Sequence, residues 1–156
     1  LRTHEGFAHL CVVIDLFSRR VVGWAVHSRQ TSELAVQALL MAIWRRKPGP
    51  GLLIHSDQGA QFASREWAAF LREHNLEHSM SRRANCHDNA LAESFFQLLK
   101  REKVRRRKNR TREDALQNVF EYIELFYNPK RKHTNNGMLS PDDYENRQRK
   151  LKKADV

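Results

Sequence analysis

A chain of 156 residues has room for one domain around one core, and 40% hydrophobic residues are enough to fold it. Lys and Arg number 28 against 18 Asp and Glu, a formal net charge of +10, and the commonest partner for such an excess is nucleic acid. The longest uncharged apolar stretch, LCVVI, is far too short to span a bilayer, and the start LRTHEG leads into no signal-type segment. Cys11 and Cys86 stand apart, so neither a disulfide framework nor a CxxC zinc site is available. The expectation is a soluble protein of a reducing compartment carrying two inert thiols.

FAHLCVVIDLF (7–17) is nearly continuous apolar sequence rich in β-branched residues, which predicts a strand buried on both faces. VVGWAV (21–26) follows the polar turn SRR and predicts an antiparallel hairpin. Thr31 or Ser32 then caps a helix to about Lys47, with Leu34, Ala35, Ala38, Leu39, Ala42 and Ile43 on one side, and KPGPG stops it. LLI (52–54) predicts a short buried strand, with Asp57 just past its end. Ser64 caps a helix to about Asn75 whose stripe is Trp67, Phe70 and Leu71. A short strand near His78–Met80 and the polar loop SRRANCHDN lead into a helix over 92–104. The last predicted helix opens at Thr111 with Glu113 and Asp114 in its first turn. It buries Ala115, Leu116, Val119, Phe120, Ile123 and Phe126 and ends near Asn128–Pro129. The whole is an α/β layout, and sites in open α/β sheets gather beyond the C-terminal ends of strands, where Asp57 falls.

The charge is clustered. KREKVRRRKNRTR (100–112) holds nine basic residues and one acid, and PKRKH (129–133) forms a second patch. Like charges at that density repel one another without a polyanion. Arg101, Lys103, Arg105, Arg106, Arg107, Lys130, Arg131 and Lys132 are therefore candidate DNA contacts. On helix 92–104, Glu93, Gln97, Lys100 and Val104 share one side, so a carboxylate stands at one end of the stripe and the basic run begins at the other.

A strand-end acid, Asp57, and a helix-borne acid, Glu93, can converge on a hard cation, because carboxylate oxygens suit Mg²⁺ or Mn²⁺. Spacing alone leaves this open, since 18 acids offer many such pairs. The surrounding words are more specific. HSDQGAQFAS, SRRANCHDNALAESFFQLLKRE and EYIELFYNPKRKHTNNGMLSPDDYE, with DLFSRRVVGWAV ahead of them, resemble the catalytic core of D-D-E type insertion-sequence transposases, relatives of retroviral integrases. The resemblance covers nearly the whole chain in the family's order.

That resemblance implies a ribonuclease-H-like fold, a mixed sheet flanked by helices, over residues 1–145, with a basic tail over 146–156. It implies a polynucleotidyl transferase that cuts element ends and joins the 3′-hydroxyl to target DNA, using two Mg²⁺ or Mn²⁺ ions. Asp57 and Glu93 would be the second and third metal-binding, catalytic acids. Lys100, with Gln97 beside it, would sit where related integrases contact DNA ends. Partners would be DNA and further copies of the chain, in the bacterial cytoplasm at the nucleoid, with no membrane. Relatives carry a first acid on a first, central strand, a few residues ahead of the position of Leu1; here only LRT corresponds to that strand's tail. Asp15 ends the next strand in a recurrent turn and Asp88 is a loop or capping residue, so neither is assigned as a replacement. Ala84 stands where relatives often have glycine. Two other functions share the same DNA-binding expectation: a catalytically silent DNA-binding remnant, and a stand-alone nuclease of this fold.

Overall fold

The computed structural model describes residues 1–57, 59–80, 90–104 and 109–154. The expected first strand is divided in two. β1 (Arg2–Thr3) and β2 (Gly6–Phe7) form a small hairpin, and β3 (His9–Ile14) follows as the longer strand. β3 pairs antiparallel with β4 (Val21–His27), with a bulge between Val13 and Ile14, as the SRR turn predicts. Instead of being buried on both faces, β3 is half-buried throughout, and Leu16 and Phe17 are well exposed. Among the described residues only one β3 edge is paired, by β4, while the other borders an open cleft.

α1 (Ser32–Arg46) begins after Thr31, whose side chain makes no capping hydrogen bond, and ends at Lys47 in the left-handed region (φ 46°). β5 (Leu53–Ser56) and α2 (Arg65–Glu73) come next, and here the cap operates: Ser64 Oγ accepts from Trp67 N at 3.1 Å. β6 (Glu77–Met80) pairs parallel with β5. α1 and α2 enclose one cluster with Val22, Leu39, Trp67 and Leu71. On the other face, α3 (Ala90–Leu99) and α4 (Arg112–Phe120) enclose Val21, Trp24, Phe95, Val119 and Ile123. The result is a layered α/β fold in which β3–β4 and β5–β6 are separate two-stranded pieces.

Two expected helices change pitch. Helix 92–104 is α-helical only to Leu99, and Lys100–Val104 forms a wider π turn. Thr111 and Asp114 form a reciprocal capping box for α4, but Glu121–Tyr127 is again π-helical. A π turn inserts a residue, so the buried line runs Ala115, Val119, Ile123, Tyr127 at spacings of four. Leu116, Phe120 and Phe126, expected inside, are each more than 40% exposed, and Tyr122 and Tyr127 are buried in their stead.

Beyond Pro129 the chain is not finished with helix. α5 (Pro141–Ala154), unforeseen because it has almost no apolar stripe, runs across the 145/146 position. Ser140 Oγ accepts from Asp143 N at 3.2 Å, and Pro141 begins the helix. Between α4 and α5, Asn128 clamps β4: its Oδ1 accepts from Val21 N and its Nδ2 donates to Val21 O, both at 3.0 Å. Asn128 is 2% exposed. Asn128→Ala leaves two buried backbone groups of Val21 unpaired, so a loss of about 2–4 kcal/mol is expected in urea denaturation. A loss below about 0.5 kcal/mol would show the clamp to be idle.

Candidate active site

Asp57 sits where the sequence put it, one residue past the C-terminal end of β5. Its Oδ1 accepts from Gly59 N at 2.7 Å, closing a tight turn. A Cβ on Gly59 would stand 2.9 Å from that oxygen and 2.7 Å from Gln61 Oε1, so a larger residue there would push the Asp57 and Gln61 side chains aside. Behind it, buried Ser56 donates from Oγ to Asp57 O (3.1 Å) and lies 2.6 Å from His78 Nε2. His78 in turn meets the edge of Trp67, with ring centroids 5.8 Å apart. Burial, then the nearby His55, holds the His78 imidazole below its ordinary pKa. The base of the turn is thus tied to strand and helix while the carboxylate is exposed.

Glu93 stands in the first turn of α3 and is exposed, and buried Phe95 and Leu99 fix the helix beneath it. Asp57, Glu93 and Lys100 all line one cleft of about 540 Å³, which runs between β3 and β5. Cys11, on the β3 wall, is pushed up to about 11 by burial and then by the charge of Asp57. It therefore stays a thiol at neutral pH and is no nucleophile.

The donor set is two carboxylates with hard oxygens, one with Oδ2 free of hydrogen bonds among the described residues. Such donors fit a hard divalent cation, although no group of three or more His, Cys, Asp or Glu comes together among the described residues. Asp15 is no third ligand. Its Oδ1 accepts from Phe17 N and Ser18 N (2.8 and 3.2 Å), and its Oδ2 faces Arg46 at 3.8 Å.

The candidate DNA contacts divide. Gln97, Lys100 and Arg101 are exposed, and the two cations make no ion pair among the described residues. Lys130 and Lys132 are also exposed. Lys103 is paired with Glu121 at 3.0 Å, and Arg131 with Glu102 at 2.8 Å. Tyr122 donates its hydroxyl to the same Glu102 oxygen at 2.7 Å. Burial pushes the Glu102 carboxyl up, but the Arg131 and Tyr122 hydrogen bonds outweigh it and hold it below the ordinary range. Arg105, Arg106, Arg107, Cys86, Asp88 and Ala84 lie outside the described residues.

Residue-by-residue reading missed the polar framework of segment 128–140. Besides Asn128, Asn136 donates from Nδ2 to Ser18 O at 2.8 Å, and buried His133 packs edge-on to Tyr127. Burial, then the charges of Arg131 and Arg19, lowers His133 to about 4, so it is neutral. The basic word PKRKH suggests a surface patch, and no periodicity marks Asn128 and Asn136 on either side of it as clamps.

Two family profiles, both described as integrase core domain, match residues 1–86 and 93–148. The InsF transposase of insertion sequence IS3A from Escherichia coli (strain K12) is 47% identical over 147 residues, 94% of this chain and 51% of the relative. The transposase of insertion sequence element IS904 from Lactococcus lactis subsp. lactis (strain IL1403) is 43% identical over 143 residues, 92% of this chain and 56% of the relative. The chain thus spans about half the length of these curated relatives. Among solved structures, the catalytic core domain of BIV integrase matches with a TM-score of 0.67 at 19% identity, over 92% of this chain and 88% of that one. The HTLV-2 integrase catalytic core domain in complex with magnesium matches with a TM-score of 0.62 at 22% identity, over 85% and 80%. These similarities confirm the integrase-like α/β fold, and the chain belongs to the integrase core domain family.

Proposed function

We propose that the chain is the catalytic core, over residues 1–145, of a transposase that cuts DNA at element ends and joins the freed 3′-hydroxyl to target DNA. The observation that carries this is the meeting of Asp57 and Glu93 in one cleft, with Lys100 on its wall. Asp57 and Glu93 would hold Mg²⁺ or Mn²⁺, as the magnesium complex of the HTLV-2 core supports. Bound there, two ions supply Lewis-acid chemistry at the attacking and leaving oxygens. The chain's own part is to orient the two carboxylates through the Gly59 turn and the packed α3, and to draw the phosphate backbone in with Lys100, Gln97 and Arg101. Without cations between them, acids and phosphate repel. The working assembly is a homo-oligomer on DNA, since two ends must be joined, as the trimeric form of the HTLV-2 core supports by analogy. No helix of the described residues is long and apolar enough to cross a membrane, and the proposed setting is the bacterial cytoplasm at the nucleoid.

The remaining acid, the first of the family's three, would come in this reading on a strand lying in the cleft. Leu1 and Ala8 exchange two backbone hydrogen bonds (2.8 and 2.7 Å), continuing the Arg2–Phe7 and Thr3–Gly6 pairing of the β1–β2 hairpin. That register aims any residues ahead of Leu1 along the uncovered edge of β3, into the space beside β5. An acid a few positions upstream would come level with Cys11, where the charge of Asp57 is already felt.

The test is end cutting and strand transfer, with Mg²⁺ or Mn²⁺, by a chain extended upstream of Leu1 through such a strand. Glu93→Gln in that chain should lose both steps, by at least about a hundredfold, while still binding DNA. Strand transfer retained by the variant would overturn the assignment. Cutting without joined products would favour a nuclease, and binding without cutting a silent DNA-binding remnant.

A further inference from the structure

We infer that the C-terminal half of α5 is a second binding surface for the phosphate backbone of duplex DNA, separate from the acid-bearing cleft. α5 is divided by charge. Its acids, Asp142, Asp143 and Glu145, all lie in the first two turns, and that half is fastened to the body. Ser18 Oγ donates to Glu145 Oε2 at 2.7 Å, and Arg46 donates to the same oxygen. Arg20 meets Asp142 at 3.2 Å, Asp142 N donates to Asn128 O at 3.0 Å, and the ring of Tyr144 lies 5.2 Å from that of Phe17. The remaining turns carry Arg147, Arg149, Lys150, Lys152 and Lys153, all exposed. Only Arg149 among them has an ion pair with a described residue, Glu145 at 3.7 Å.

Helix stability does not account for this arrangement. The helix dipole favours cations in the last turn, which covers Lys152 and Lys153 but not Arg147 or Lys150. At about 100° per residue, Arg147, Lys150 and Lys153 share the half of the helix turned away from Pro141, Glu145 and Gln148. Arg147–Lys150 and Lys150–Lys153 are then like-charge neighbours three residues apart, each unfavourable by about 0.2–0.5 kcal/mol. A line of phosphates relieves that repulsion and releases counterions as it binds. The anchored half holds the cations in a fixed direction, so little ordering cost falls on binding.

The surface is distinct from the cleft. Among the described residues none of α5 lines the cleft; α5 docks on the turn beyond Ile14, which the cleft reaches only at Leu16, and on the end of α1. The inference rests on the reading that this chain acts on DNA, and its test reads binding alone.

That test is fluorescence anisotropy of the chain on a labelled 30-base-pair duplex of arbitrary sequence, without divalent metal, across about 50–200 mM salt. Arg147→Gln, Lys150→Gln and Lys153→Gln together should lower the slope of log affinity against log salt by about 2–3, at about 0.9 for each phosphate no longer neutralised. Replacing Lys150→Gln in that variant by Lys150→Glu should weaken binding further, with both variants melting as the parent does. An unchanged slope overturns the inference, as does capture by phosphatidylserine vesicles with the DNA slope unaffected. Should Lys100→Gln with Arg101→Gln lower the slope while the α5 variant does not, the α5 surface falls and the proposed function stands. If the parent chain shows no salt-dependent binding at all, both fall.

Discussion

Gly23→Ala is expected to cost about 3 kcal/mol or more and to leave little folded chain at 37 °C. Gly23 lies in β4 directly under α1. A Cβ there would stand 2.2 Å from Ala38 O, 2.8 Å from Ala42 N and 2.9 Å from Ala42 Cβ. Two of these three atoms are helix backbone, so no rotamer change relieves the clash. α1 must lift away from β4, and Leu34, Ala35, Leu39 and Ala42 lose packing as it does. Gly49→Ala is the matched control, since a Cβ there meets nothing within 4 Å. Urea denaturation followed by circular dichroism should separate the two sharply. Equal midpoints would show that α1 does not sit on β4 as described.

Glu145→Gln should rank next, at about 2–3 kcal/mol, because it removes the carboxylate that Arg46, Arg20 and Ser18 share. Breaking a buried pair costs about 3–5 kcal/mol, and the two arginines, each more than a quarter exposed, reduce that figure. The same residue sets a pH dependence. Burial pushes the Glu145 carboxyl up, but the hydrogen bonds from Arg46 and Ser18 and the charges of Arg46 and Arg20 win, so its folded-state pKa lies below the ordinary value. Its contribution is therefore present above the unfolded carboxylate value, about 4.3, and fades as pH falls through the lower folded value. Asp142 runs the other way: burial, opposed by Arg20 and reinforced by Glu145 and other acids, raises it, so protonation relieves a cost there. The stability difference between parent and Glu145→Gln isolates the Glu145 part. It should be largest near neutral pH and shrink on acidification, and a difference that grows below pH 4 would contradict the pairing.

Much of this molecule was legible one residue at a time. The β3–β4 hairpin, α1, the Ser64 cap and the Thr111 opening follow from local preferences, because side-chain period and capping chemistry act within a few residues. Their surrounding words mark Asp57 and Glu93 as candidates, and the fold brings both to one cleft although 35 residues (58–92) separate them. The basic runs, too, announced themselves by composition.

What the sequence could not decide was settled by partners distant along the chain. Whether Arg131 and Lys103 face solvent depends on Glu102 and Glu121, and those pairs form only once the two π-helical segments pack together. The same π insertions moved the buried stripe from Phe126 to Tyr127, an effect invisible to a 3.6-residue period. α5 escaped notice because ion pairs and hydrogen bonds to Ser18, Arg20 and Arg46 hold it, not an apolar face. The sequence alone determined chemistry and local conformation, which act over one or two turns. The tertiary structure alone decided which charges are free for a ligand and which are spent on the fold, because Coulomb and hydrogen-bond partners are chosen in space.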